Sequence, residues 1–92
     1  MSDAASTGNP AFVKASEDVN KFSKLPSNEQ LLELYALYKQ GIVGDNETTR
    51  PGVFDLKGKA KWDAWAAKKG TSKEDAQAQY IAYVETLAKD HA

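Results

Sequence analysis

A chain of 92 residues, with 12 Lys and Arg against 13 Asp and Glu and no cysteine, predicts one domain over residues 1–92, core about 9–90, that folds without a disulfide or metal staple. A net charge of −1 speaks against the strongly basic footprint of a nucleic-acid binder and against a polybasic membrane anchor. Without cysteine there is no thiolate metal site and no thiol nucleophile, and the chain tolerates a reducing compartment. Met1 to Pro10 is small and polar, and no segment reaches the roughly 20 apolar residues that span a bilayer. A cytoplasmic protein without stable membrane insertion is therefore expected.

The first predicted helix opens at Asn9-Pro10, an N-cap followed by proline at the first helical position. It carries Phe12, Ala15, Val19 and Phe22 at helical spacing and ends at Lys24-Leu25-Pro26. Ser27 with Gln30 forms a capping box that opens a second helix through Leu31, Leu34, Tyr35, Tyr38 and Ile42 to about Val43, with Gly44 as its stop. From Leu31 to Val43 only Glu33, Lys39 and Gln40 are strongly polar, so the apolar surface exceeds one stripe. A second side is covered either by another helix or by an apolar ligand.

After a long unpatterned stretch from about Gly44 to Phe54, a third helix is predicted near Lys57. It turns Ala60, Trp62, Trp65 and Ala66 inward, and Gly70 serves as its left-handed cap. Thr71 with Glu74, or Ser72 with Asp75, caps a fourth helix bearing Ala76, Tyr80, Tyr83, Val84 and Leu87. No segment alternates as a strand does, so the fold class is all-α, a four-helix bundle. Its long loop allows the second and third helices to run parallel.

Few side chains offer chemistry. Tyr35, Tyr38 and Lys39 fall within one turn, and Lys57 and Lys61 are spaced i,i+4. Together they read either as a phosphate clamp with aromatic neighbours or as a solvated lysine face. Gly52 to Ala60 fails as a nucleotide P-loop: five residues separate Gly52 from Gly58 where the motif has four, and Ala60 stands where Ser or Thr would hold magnesium. Trp62 and Trp65 read as core anchors rather than as a base-stacking pair. The one histidine, His91, is expected in a fraying tail without a partner. The neighbouring carboxylates Glu17-Asp18 and Glu74-Asp75 sit at solvated positions with no cause for a raised pKa. No catalytic or metal site is predicted, and a thioesterase is disfavoured.

Read as one string, Tyr38-Lys39-Gln40, Val43-Gly44-Asp45, Arg50-Pro51-Gly52 and Lys57-Gly58-Lys59-Ala60-Lys61-Trp62-Asp63-Ala64-Trp65 closely resemble the signature of the acyl-CoA-binding protein family. Lys69 to Ala76 and Tyr80-Ile81 extend the likeness, which spans about Phe12 to Leu87. The resemblance implies an up-down-down-up bundle that binds long-chain fatty acyl-CoA one to one, as a monomeric intracellular carrier and buffer without a cofactor. It implies that Lys61, Lys39 and Tyr35 hold the ribose 3′-phosphate, that Tyr38 lies beside the adenine with Tyr80 completing the site, and that Lys57 serves the nucleotide or pyrophosphate. Leu31, Leu32, Val19 and Ser16 are implied to line the acyl-chain groove. Transient contact with membranes or acyl-CoA-using enzymes fits the same picture.

Three positions depart from the family's pattern. Asn20 stands where lysine is common and belongs to the expected acyl-CoA-contacting set, Ser16 stands where alanine is usual, and Leu25 often has a basic counterpart. The rival reading is a helical protein-interaction module docking through the second and third helices.

Overall fold

In the computed structural model, residues 4–92 are described. Of the start read as small and polar, Met1 to Asp3 lie outside them. A 3₁₀ turn over Ala4–Thr7 precedes α1 (Pro10–Val19), α2 (Asn28–Ile42), α3 (Leu56–Ala66) and α4 (Lys73–His91), and there is no strand among the described residues.

The helix starts follow from local chemistry. The Asn9 side chain accepts from the Phe12 N–H, and Pro10 occupies the first helical position, where a missing N–H costs nothing. Ser27 and Gln30 form the reciprocal capping box, with bonds of 3.2 and 2.9 Å. Asp55 caps α3 by accepting from the Gly58 N–H, and Ser72, rather than Thr71, caps α4 by accepting from the Asp75 N–H. Gly44, just past α2, has φ +92, a conformation that a side chain would strain.

Two helix ends differ from the sequence expectation. α1 stops at Val19, and Phe22 lies in the turns that follow. Asn20 forms the C-cap, and its side-chain amide donates back to the Ser16 carbonyl at 3.3 Å, a local bond that competes with continuing the helix. α3 ends at Ala66 with Ala67 as its C-cap. Gly70, with φ +91, turns the linking segment and does not cap the helix.

The contacts define the topology. Asn9 meets Gln77, Phe12 meets Tyr80 and Phe22 meets His91, so α1 and α4 run parallel. Gly41 meets Gln77 and Tyr38 meets Tyr80, so α2 runs antiparallel to α4. Tyr35 meets Lys61 and Lys39 meets Trp65, so α2 and α3 run parallel across the long loop. The order is up-down-down-up.

The core is built by Phe12, Leu34, Leu37, Tyr80, Val84 and Leu87 with small residues between them. Gly41 lets α2 approach α4: a Cβ there would lie 3.1 Å from Gln77 Cγ and 3.2 Å from Phe12 Cζ. Gln40, 0% exposed, donates to Asp45 at 2.9 Å and to the Thr71 carbonyl at 2.8 Å, tying the α2 end to the α3–α4 link. Trp65 is buried and donates to the Gly44 carbonyl. Trp62 is less of an anchor than expected: it is half-buried, and its indole N–H donates to Thr48 in the long loop.

His91 is also better held than expected. It lies in α4, its ring stacks on Phe22 with centroids 6.0 Å apart, and its carbonyl accepts from the Lys24 N–H and the Ser23 hydroxyl.

Two exposed carboxylates sit below their usual range: Asp45 chiefly because the Gly70 N–H and the Gln40 amide donate to it, Asp63 chiefly because of the Arg50 guanidinium. A carboxylate with a depressed folded-state pKa adds stability above its unfolded value, about 4, and that stability is lost as pH falls through the folded value. Thermal stability is therefore expected to fall below about pH 4. Asp45→Asn should show a shallower acid decline than the parent chain when melting temperature is followed against pH.

Candidate functional site

Parallel packing of α2 and α3 leaves a groove between their N-terminal halves. It has a volume of about 450 Å³ and is lined by Leu31, Leu32 and Tyr35 of α2 and by Leu56, Lys57, Ala60 and Lys61 of α3, with Asn28 at one end. This lies in the range of small-molecule sites, about 300–1,000 Å³. A second hollow of about 290 Å³ adjoins it, lined by Ser16, Val19 and Asn20 of the first helix region, Leu31, Leu34, Tyr35 and Tyr38 of α2, and Tyr80 of α4.

Two residues belong to both hollows, Leu31 and Tyr35. They are one helical turn apart on α2 and therefore share a face. Through Leu31 the apolar residues Val19 and Leu32 become neighbours of one surface, with Ser16 beside them. Through Tyr35 the lysines of α3 meet the tyrosines of α2 and α4. The sequence grouping of Ser16 and Val19 with Leu31 and Leu32 thus corresponds to two adjoining hollows rather than to one.

The cations are held loosely. Lys61 Nζ lies 5.4 Å from the Tyr35 ring centroid, and Lys39 Nζ lies 5.1 Å from that of Trp65. Such contacts contribute only about 0.5–1 kcal/mol at exposed sites and leave ammonium donors unused. The ion pairs among the described residues are Lys14–Asp18, Arg50–Asp63 and Lys68–Glu33, so Lys39, Lys57 and Lys61 take part in none. Lys39 continues the α2 face one turn beyond Tyr35 but lines neither hollow.

The tyrosines are set by the core. Tyr38 lies 5.5 Å from Phe12 and 5.7 Å from Tyr80, centroid to centroid, and its hydroxyl accepts from the Ala4 N–H. Burial, with Tyr38 nearby, pushes the Tyr80 phenol up to about 12. It is a neutral donor at physiological pH.

Asn20 lines the second hollow, but Lys21 lines a separate one with Asp18, Phe22, Val84 and Glu85. Ser16 directs its hydroxyl to the Val13 carbonyl at 2.7 Å. The sequence reading missed Asn28, Leu34, Leu56 and Ala60 as lining residues. Leu56 fell outside a helix expected to begin near Lys57; the signal for it was Asp55, whose side chain caps α3.

A sequence model described as acyl-CoA-binding protein matches residues 9–84. The chain belongs to the acyl-CoA-binding protein family. Within it, the chain is 58% identical over 77 residues to acyl-CoA-binding protein homolog 1 of Caenorhabditis elegans, covering 84% of this chain and 90% of that one. It is 53% identical over 81 residues to the Drosophila melanogaster homolog, covering 88% and 94%. The crystal structure of Oryza sativa acyl-CoA-binding protein 2 superposes with a TM-score of 0.83 at 46% identity, over 87% of this chain and 89% of that one. The solution structure of the yeast acyl coenzyme A binding protein gives 0.72 at 46% identity, over 89% and 95%. The all-α bundle is thus the family's fold. Among the described residues no group of His, Asp and Glu is placed to hold a metal ion, and no helix is long and apolar enough to cross a membrane.

Proposed function

We propose that this protein binds long-chain fatty acyl-CoA esters one to one and carries them unchanged. The observation that carries this reading is the α2 face on which Leu31 joins the apolar surfaces and Tyr35 joins the cationic and aromatic ones. A ligand with an alkyl tail and a phosphorylated adenine nucleotide needs both, side by side.

In this reading Lys61, Lys39 and Tyr35 take the ribose 3′-phosphate, Lys61 and Lys39 leaving their aromatic rings for it. Tyr38 and Tyr80 flank the adenine with Asn20 at the edge, and Lys57 meets the pyrophosphate. The acyl chain lies along Leu31 and Leu32, with Val19 and Ser16 beside it and Leu56 and Ala60 opposite. Burying roughly a dozen methylenes at about 0.8 kcal/mol each offers on the order of 10 kcal/mol before ordering costs. The lysines then supply orientation and discrimination, because a free fatty acid leaves them without a phosphate. A carrier needs no nucleophile or general base, and the thioester is expected to survive prolonged incubation. A monomer working in the cytoplasm suits such a task.

Palmitoyl-CoA and its 3′-dephospho analogue separate the phosphate clamp from the rest of the site. Loss of the 3′-phosphate is expected to weaken binding by about 10- to 100-fold, the worth of charge-assisted hydrogen bonds of about 1.5–3 kcal/mol. Equal affinities in competition titrations would remove Lys39, Lys61 and Tyr35 from the phosphate role.

A further inference from the structure

The 3₁₀ turn over Ala4–Thr7 lies ahead of residues 9–84, the segment that matches the family. It is built into the bundle all the same. Ala4 is 3% exposed and belongs to one core cluster with Phe12 and Tyr80, and the turn packs against both α1 and α2. Its N–H donates to the Tyr38 hydroxyl at 3.2 Å, so a segment outside the matched one touches a tyrosine of the candidate site.

The donor is held by bonds of its own. The half-buried Thr7 donates its hydroxyl to the Ala4 carbonyl at 2.7 Å and accepts from the Asn9 N–H at 3.2 Å. The Asn9 side-chain amide donates to Gln77 at 2.9 Å, and Gln77 donates to the Gly41 carbonyl at 2.8 Å. Thr7 thus links Ala4 to the cap of α1, and Asn9 links that cap to α4 and α2. The place of the Ala4 N–H is a property of the bundle and not of the turn alone.

Tyr38 is half-buried, with the rings of Phe12 and Tyr80 5.5 and 5.7 Å away, and it lines the second hollow with Asn20, Tyr35 and Tyr80. Ring contacts tolerate a range of angles; a bond at the hydroxyl adds a second fixed point, and a hydroxyl that accepts keeps its proton to donate. We propose that the Ala4–Thr7 turn is a positioning element for the nucleotide end of the site, fixing Tyr38 through the Ala4 N–H while Thr7 holds Ala4 in place. The proposal rests on the acyl-CoA reading, in which Tyr38 flanks the adenine. A side chain already fixed loses less freedom when the nucleotide binds, so the turn adds affinity without touching the ligand. The acyl chain, placed along Leu31 and Leu32, should not sense it.

Three ligands separate the two ends of the site in calorimetric titration: palmitoyl-CoA, adenosine 3′,5′-bisphosphate, and palmitoyl-pantetheine, which has the tail and thioester without the nucleotide. The variants, in the full chain, are Ala4→Pro, which removes the N–H at the first position of the turn, Thr7→Val and Thr7→Ser. All are titrated at a temperature where circular dichroism shows them folded. Ala4→Pro and Thr7→Val should weaken palmitoyl-CoA and the bisphosphate by about three- to tenfold, as expected for one neutral hydrogen bond. Palmitoyl-pantetheine should bind them as it binds the parent, and Thr7→Ser, which keeps the hydroxyl, should match the parent for all three ligands. In a Tyr38→Phe background Ala4→Pro should add little, because its partner is already gone. Parent-like binding of the bisphosphate by Ala4→Pro overturns the proposal. An equal loss for the pantetheine ester does so too, since the turn would then support the bundle in general, as does a full additional loss in the Tyr38→Phe background. A parent chain that binds none of the three ligands removes the acyl-CoA reading and this proposal together, whereas variants that match a parent binding the ester remove this proposal alone.

Discussion

Lys61→Ala is expected to weaken acyl-CoA binding by about 10- to 100-fold while leaving the helical circular dichroism unchanged. Lys61 is exposed, forms no ion pair among the described residues, and holds its Nζ 5.4 Å from the Tyr35 ring centroid. Its removal takes nothing from the core. In the complex it is proposed to donate to the 3′-phosphate, and a hydrogen bond to a charged partner contributes about 1.5–3 kcal/mol. Tyr35→Ala should act in the same direction and also widen the junction that Tyr35 makes between the two hollows. Fluorescence competition against a labelled acyl-CoA reads both. Parent-like affinity in both variants would place the nucleotide elsewhere.

Phe12→Ala has the opposite signature. Phe12 is 0% exposed, lies 5.1 Å from Tyr80 and 5.5 Å from Tyr38, and approaches the backbone at Gly41. It therefore joins α1, α2 and α4 at one point. Truncating such a side chain costs about 3–5 kcal/mol, a large share of the roughly 5–15 kcal/mol that holds a domain folded. Denaturant titration should show a lower midpoint. Ester binding should also decline, because Tyr38 and Tyr80 rely on Phe12 for their placement, but saturating ligand should restore part of the lost stability by mass action. A change below about 1 kcal/mol would mean that the neighbours collapse into the space, contrary to the tight contacts around Gly41.

Where sequence and structure agree, a local rule and the tertiary contacts point the same way. Ser27 and Gln30 specify the start of α2 because both bonds of the box are made within four residues. The long loop after Gly44 left open whether α2 and α3 run parallel, and the pairings of Lys61 with Tyr35 and Lys39 with Trp65 show that they do. The misses are places where a distant partner decides. α1 was extended to Phe22 because its spacing is helical, whereas Asn20 ends the helix and Phe22 is drawn to His91 of α4. The 3₁₀ turn at Ala4–Thr7 has no periodicity to read and is fastened by the Tyr38 hydroxyl on α2.

The site divides in the same way. Its lysines and tyrosines were legible through family resemblance, which fixes residue types at fixed separations. Bottom-up pattern alone favoured a solvated face over a clamp, because a lone i,i+4 lysine pair more often forms the former. The structure adds a tertiary fact: Lys57 and Lys61 line one groove with Leu31, Leu32 and Tyr35. Leu56 and Ala60 were invisible as groove residues for want of that pairing.

Calorimetric titration of the protein with palmitoyl-CoA, with free CoA and palmitate as paired titrants, tests the carrier reading most directly. Tight one-to-one binding of the ester, with each half bound far more weakly, is the predicted result, since tail and nucleotide are held by adjoining parts of one surface. No heat and no displacement by the ester would contradict it.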